Sequence, residues 1–141
     1  MLMQSVDKHR FFKDVALDKA FEISVAYDKS YIQLLVLTPL MTMPIAMEAT
    51  LGLKEVNDKV EINRFLLDLR NTRSTTTVNE KYEFAYEKLK ALVQVPSEMR
   101  GALLKAEGND SFRFLETVMR NANYNFRVFD DEAHALEWLI R

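Results

Sequence analysis

The chain has 141 residues, 48% of them apolar and 28% charged, with a formal net charge of -2 and no cysteine. That length suits one domain with a buried core, and the charge balance argues against general affinity for nucleic acid or an anionic membrane, both of which need clustered excess Lys and Arg. Without cysteine there is no disulfide, thiolate metal site or cysteine nucleophile, and the apolar runs fall short of the roughly 20 residues that span a bilayer.

Residues 1–20 read as an N-terminal arm or an extra edge strand, with "HRFFKDV" as the strand candidate. Charges sit where a secretory signal needs its apolar centre, so a cytoplasmic protein is expected. "FEISVAYDKSYIQLLVL" then reads as a hairpin: Phe21, Ile23 and Val25 alternate, "DKS" turns, and Ile32–Leu37 is continuous enough for a central strand. Pro44 marks a helix start, and Ile45, Ala49, Leu53, Val56 and Val60 follow at helical spacing, with Gly52 inside the helix.

"RFLLDL" is a buried-type third strand, with Phe65, Leu67 and Leu69 on one face and Leu66 on the other. Thr77 and Glu80 have the spacing of a capping box, ahead of an apolar face of Val78, Tyr82, Ala85, Tyr86, Leu89 and Val93. "GALLKA" is the fourth strand. Asp110 is expected to cap a third helix carrying Phe112, Leu115, Val118, Met119 and Ala122. "NFRVFD" is the fifth strand, and Asp130 is expected to cap a last helix that turns Ala133, Leu136 and Ile140 inward, with Ala135, Trp138 and Leu139 broadening that apolar face and the Trp138 ring packed on the body of the domain. The order implies an α/β domain. Its five-stranded sheet is mixed, mostly parallel from the second strand onward, with an N-terminal hairpin, four helices and right-handed crossovers.

Catalytic signals are absent. His9 and His134 have no metal-ligand or triad partners at useful spacing, and "TPLMTMP" after the second strand has no glycine for a phosphate loop. No catalytic residue, metal or cofactor is expected.

The element order, "RFLLDLRNT" and the closing "FRVFDDEAHALEWL" resemble the STAS domain of anti-sigma-factor antagonists. They are closer still to stand-alone bacterial STAS-like proteins related to CRAL-TRIO lipid-binding domains. The likeness covers residues 21–141. It implies a phosphoacceptor turn after the third strand, where this chain has Arg70-Asn71-Thr72-Arg73-Ser74-Thr75-Thr76-Thr77, a hydroxyl cluster without the family's Asp-Ser pair or glycine.

On that footing the chain is expected to be a non-enzymatic regulatory or protein-interaction module. Arg70, Asn71, Arg73 and Ser74 would bind a partner or an anion, with Ser74 and Thr75 as candidate phosphoacceptors. The plain packing alternative is that Thr77 caps, Ser74–Thr76 satisfy loop backbone and both arginines are solvated. The second functional reading is a module for an apolar, lipid-like ligand. It is motivated by the methionines at 41, 43 and 47, with Met43 and Met47 as ligand contacts. A protein partner, or a small apolar or anionic ligand, is expected, and a homodimer is left open.

Overall fold

The computed structural model describes residues 10–11, 20–92, 96 and 98–141. The expectations for His9 and Val93 fall outside these. The main sheet runs in the order β1 (Arg10–Phe11), β2 (Phe21–Ala26), β3 (Ile32–Val36), β5 (Arg64–Asp68), β7 (Arg100–Leu104), β8 (Phe126–Phe129). β1 and β3 flank β2 antiparallel, while β3, β5, β7 and β8 are parallel neighbours. The expected five strands are thus joined by the two-residue β1 on the hairpin edge. Among the described residues no helix is long and apolar enough to cross a membrane.

The helical elements are α1 (Met43–Val60), α2 (Val78–Glu83), a π-helical turn (Phe84–Lys88), α3 (Leu89–Leu92), α4 (Arg113–Asn121) and α5 (Glu132–Ile140). From β3 to β8 each crossover steps one strand in the same direction. Connections of one hand must then lie on one face. Accordingly α1, the α2–π–α3 rod and α4 share a core with Ile23, Leu34, Leu69 and Leu103. α5 follows the last strand and folds over the opposite face, where Ala135, Trp138 and Leu139 meet Leu66, Ala102 and Leu104. The alternation in β5 is as expected: Leu66 faces α5, and Phe65, Leu67 and Leu69 face the three crossover helices.

Local chemistry explains most of the boundaries. Thr42 caps α1 by accepting from the Ile45 N–H at 3.4 Å, with Pro44 in the first turn. Asn57 closes its far end, its Oδ1 accepting from the backbone N–H groups of Ile62 and Asn63. With only three glycines, left-handed positions are taken by Lys29, Glu61, Asn63 and Asn123 as well as Gly108. At the β8 edge the Val128 N–H donates to Glu116 of α4 at 2.9 Å.

Several sequence expectations are corrected. Asp131, not Asp130, caps α5 by accepting from the His134 N–H at 3.1 Å, because β8 ends at Phe129, Asp130 bends the chain away from it and α5 starts at Glu132. The inward face of α5 is therefore Ala135, Trp138 and Leu139, while Ala133 and Ile140 are exposed. Asp110 does not cap α4, whose first turn has no side-chain cap. Asp110 pairs with Arg113 instead, and Asn109 organises that loop, accepting from the Ser111 N–H and hydroxyl. Finally, α2 presents Lys81 inward and leaves Val78 and Tyr82 exposed, as the π turn leaves Tyr86. Tyr82 stacks on Tyr86 and meets Phe114 edge-on at the surface.

Trp138 does pack on the body of the domain, at 8% exposure. Its ring lies against Phe129 and between the guanidinium groups of Arg100 and Arg127, each 5.6 Å from the ring centre. Arg100 also donates to the Trp138 carbonyl at 2.7 Å, satisfying one of the orphan acceptors at the end of α5.

Candidate functional site

Strand ends and crossover helices leave room between them. A cavity of about 550 Å³ lies between the sheet and the helices on the α1 side, within the roughly 300–1,000 Å³ usual for small-molecule sites. Small residues create the space: Ala46 and Ala49 on α1 and Gly101 on β7 all border it. A Cβ on Gly101 would sit 3.3 Å from the Phe126 ring, close enough that the ring would have to give by a few tenths of an ångström.

The walls are mostly hydrocarbon and sulfur. Leu34, Phe65, Leu67, Leu69 and Leu103 form the sheet side. Met43 and Leu53 come from α1, Phe84 and Leu89 from the π turn and α3, and Leu115 and Met119 from α4. The π turn matters here, because an extra residue in one turn shifts the helix phase. Its closing bond runs from the Leu89 N–H to the Phe84 carbonyl. Lys81 before the turn, Ala85 within it and Leu89 after it all face the sheet side.

Polar groups cluster at two ends. Near the N-terminal ends of the strands lie Asn57, Asn63, Arg100 and Tyr124. The Tyr124 hydroxyl is buried with no partner among the described residues, and burial raises its pKa. At the C-terminal ends, where α/β sheets commonly bind ligands, lie Ser74, Thr76 and Lys81.

This second end is built by two loops that zip together. β4 (Leu40–Met41) pairs in parallel with β6 (Arg73–Ser74), and the Thr75 N–H and hydroxyl both donate to the Met41 carbonyl. The Ser74 N–H donates to the Ser111 hydroxyl at 2.9 Å, which in turn donates to Asn109. The Asn109 amide reaches the Thr72 carbonyl at 3.0 Å. Thr77 forms the expected capping box, accepting from the Glu80 N–H at 3.1 Å while Glu80 accepts from the Thr77 N–H at 2.8 Å. The box fixes the start of α2 and so aims Lys81, one turn on, at the cavity.

Lys81 is 7% exposed. Its ammonium donates to the Thr76 carbonyl and hydroxyl, both at 2.8 Å, and to the Ser74 hydroxyl at 3.4 Å. Ser74 and Thr76 share a further bond of 2.9 Å. Burial holds the Lys81 pKa below its ordinary value, and the nearby Glu80 charge opposes that.

The residues singled out in the sequence fall into separate places. Arg70 makes a two-pronged pair with buried Asp68, Nε to Oδ1 at 3.0 Å and a terminal nitrogen to Oδ2 at 2.8 Å, and reaches Glu132 of α5 at 3.3 Å. Its guanidinium is thereby held by two carboxylates, and the bond to Asp68 raises its pKa. Asn71 and Arg73 are exposed on the loop. Ser74 is half-buried and borders the cavity, and the Thr75 hydroxyl is held by Met41. Met43 borders the cavity and Met47 is not among its lining residues.

Lys81 and Thr76 were missed. The available signal was the capping box, which fixes the helix phase, but Tyr82 and Tyr86 at helical spacing outweighed it. Comparison with protein-family models, with curated proteins and with solved structures finds no match.

Proposed function

We propose that this chain is a non-enzymatic binding module that takes a small, largely apolar ligand between its sheet and its crossover helices. The carrying observation is the cavity itself, about 550 Å³ and walled mainly by Leu, Met and Phe. A packed interior ordinarily leaves few voids larger than a water, and mainly apolar concavities of this size with a few polar groups are the usual form of a small-molecule site. The hairpin, the run of parallel strands and the three crossovers on one face support a STAS-like, CRAL-TRIO-related fold as part of the same proposal.

This reading is preferred to a phosphoswitch at Ser74 or Thr75. The Ser74 hydroxyl is turned toward Thr76 and Lys81, and that of Thr75 is spent on Met41. A kinase would have to break these bonds to free either hydroxyl.

The test is titration with a neutral apolar fluorophore such as Nile red, with 1-decanol as competitor, on the wild type and on Ala46→Phe. The wild type should bind and be displaced, and its melting temperature should rise with ligand, by about 2.7 kcal/mol of stability at 100 times Kd. Ala46→Phe fills the space and should weaken binding at least about tenfold. Absence of ligand-dependent stabilisation in the wild type would reject the proposal.

A further inference from the structure

The cavity is apolar along its walls but cationic at one end, and this asymmetry specifies a ligand more closely than volume does. Among the described residues, five charged side chains border the space: Lys54, Asp58, Glu61, Lys81 and Arg100. Lys54 and Asp58 neutralise each other at 2.7 Å. Glu61 is exposed at the end of α1. The Arg100 guanidinium is committed to the carbonyls of Trp138 and Leu139. Lys81 alone among these is buried, and its bonds run only to neutral oxygens. The nearest acidic residue in sequence, Glu80, is occupied in the capping box.

From this arrangement we infer that the ligand is an amphipathic monocarboxylate, its carboxylate held by Lys81 with the Ser74 and Thr76 hydroxyls and its hydrocarbon body lying along Leu67, Leu69 and Met43. The inference rests on the apolar-ligand reading above and narrows it.

Three features favour a carboxylate. A buried ammonium with no carboxylate bonded to it is costly, the Glu80 charge acting on it only through space, and a ligand anion supplies a bonded partner at the place where the charge already is. The longest of the three bonds, 3.4 Å to Ser74, is the one a carboxylate oxygen would replace. The Ser74 and Thr76 hydroxyls bond to each other, and either proton can turn to an incoming anion instead. A phosphate monoester would bring nearly two charges to a single cation. Of the arginines near this end, Arg70 is held by Asp68 and Glu132 and Arg113 by Asp110, and Arg73 is exposed and does not line the cavity.

The cavity also has the right extent. It runs from Ser74 and Lys81 at the C-terminal ends of the strands to Asn125 and Phe126 at their N-terminal end. β5 and β7 have five residues each, about 16 Å at roughly 3.3 Å per residue. A medium-length acyl chain fits that span with its acid at the Lys81 end.

Calorimetric titration with decanoic acid and 1-decanol, both below micellar concentrations, tests the assignment on the wild type, on Lys81→Met and on Lys81→Arg. Methionine keeps the length and apolar stem of lysine while removing the charge, and melting curves of each variant verify the fold. The wild type should bind the acid at least about tenfold more tightly than the alcohol, the preference expected of a hydrogen-bonded charge. Lys81→Met should lose that preference and keep alcohol binding, and Lys81→Arg should retain part of it. Equal binding of acid and alcohol by the wild type, or an acid preference that survives Lys81→Met, overturns the headgroup assignment while leaving the apolar site intact. Failure of both probes to bind the folded wild type overturns the site as well. If Lys81→Met does not fold, Thr76→Val and Ser74→Ala replace it. Acid preference unchanged in both overturns the assignment.

Discussion

Arg70→Ala should destabilise the fold by about 2–3 kcal/mol, and the structure sets that magnitude. An exposed ion pair contributes about 0–1 kcal/mol, whereas removing one partner of a buried pair costs about 3–5 kcal/mol because the other charge is stranded. The pair here lies between these limits. The Asp68 side chain is 6% exposed and that of Arg70 42% exposed. Truncating Arg70 removes two good hydrogen bonds and the link to Glu132 on α5. The Arg70 N–H still donates to Asp68 at 3.2 Å, and water gains access through the space vacated, which moderates the loss. Urea melts of the wild type and variant measure the difference. Arg73→Ala, on the exposed side of the same loop, should stay within about 0.5 kcal/mol. Asp68→Asn combined with Arg70→Ala in a double-mutant cycle should show a coupling of about 1 kcal/mol or more. An Arg70→Ala effect as small as that of Arg73→Ala would show that Arg70 is a solvated surface group and that the buried-pair reasoning fails.

Thr77→Ala removes one half of the capping box and should cost about 0.5–2 kcal/mol in the same melts; no loss would mean α2 does not start there. Leu66 is fully buried against α5, so Leu66→Ala should cost about 2–5 kcal/mol, whereas Leu67 borders existing empty space and Leu67→Ala should cost less than about 2 kcal/mol. The reverse order would place the cavity on the wrong face. The Lys81 site should also show in the pH dependence. The folded chain releases this proton below the ordinary 10.5 while the unfolded chain holds it to 10.5, so between those values the unfolded state binds more protons and stability from this site rises with pH. The stability difference between Lys81→Met and wild type should therefore be most favourable to the variant near neutral pH and shift toward the wild type as pH approaches 10.5; a pH-independent difference would contradict the buried-charge description. Emission from the single tryptophan, Trp138, should be blue-shifted in the native protein and move red on unfolding, and water-like native emission would mean α5 is undocked.

Part of this protein is written in patterns that a strand or a helix turn can carry alone. The alternation of Phe65, Leu66 and Leu67 sorts those side chains to opposite faces because successive residues in a strand point opposite ways. Thr77 and Glu80 cap a helix because both bonds close within one turn. The apolar body and polar rim of Trp138 likewise placed it against the domain.

What sequence patterns left undecided depended on neighbours distant in the chain. Arg70 and Arg73 look alike in "LRNTRS", but only Arg70 has Asp68 two residues before it on a buried strand face and Glu132 arriving from α5. Along α2 and the π turn, Val78, Tyr82 and Tyr86 keep helical spacing yet lie at the surface, where Tyr82 meets Phe114 of α4, and the inward position goes to Lys81, whose partners Ser74 and Thr76 are supplied by the preceding loop. β4 and β6 are two residues each, too short for any periodicity, and exist because the loops after β3 and β5 meet above the sheet. The cavity is the clearest case. It is the space left between three helices and a sheet, and no local stretch specifies a volume that belongs to all of them at once. Nor does any local stretch show that the lysine reaching into it bonds two hydroxyls and a carbonyl and, among the described residues, no carboxylate.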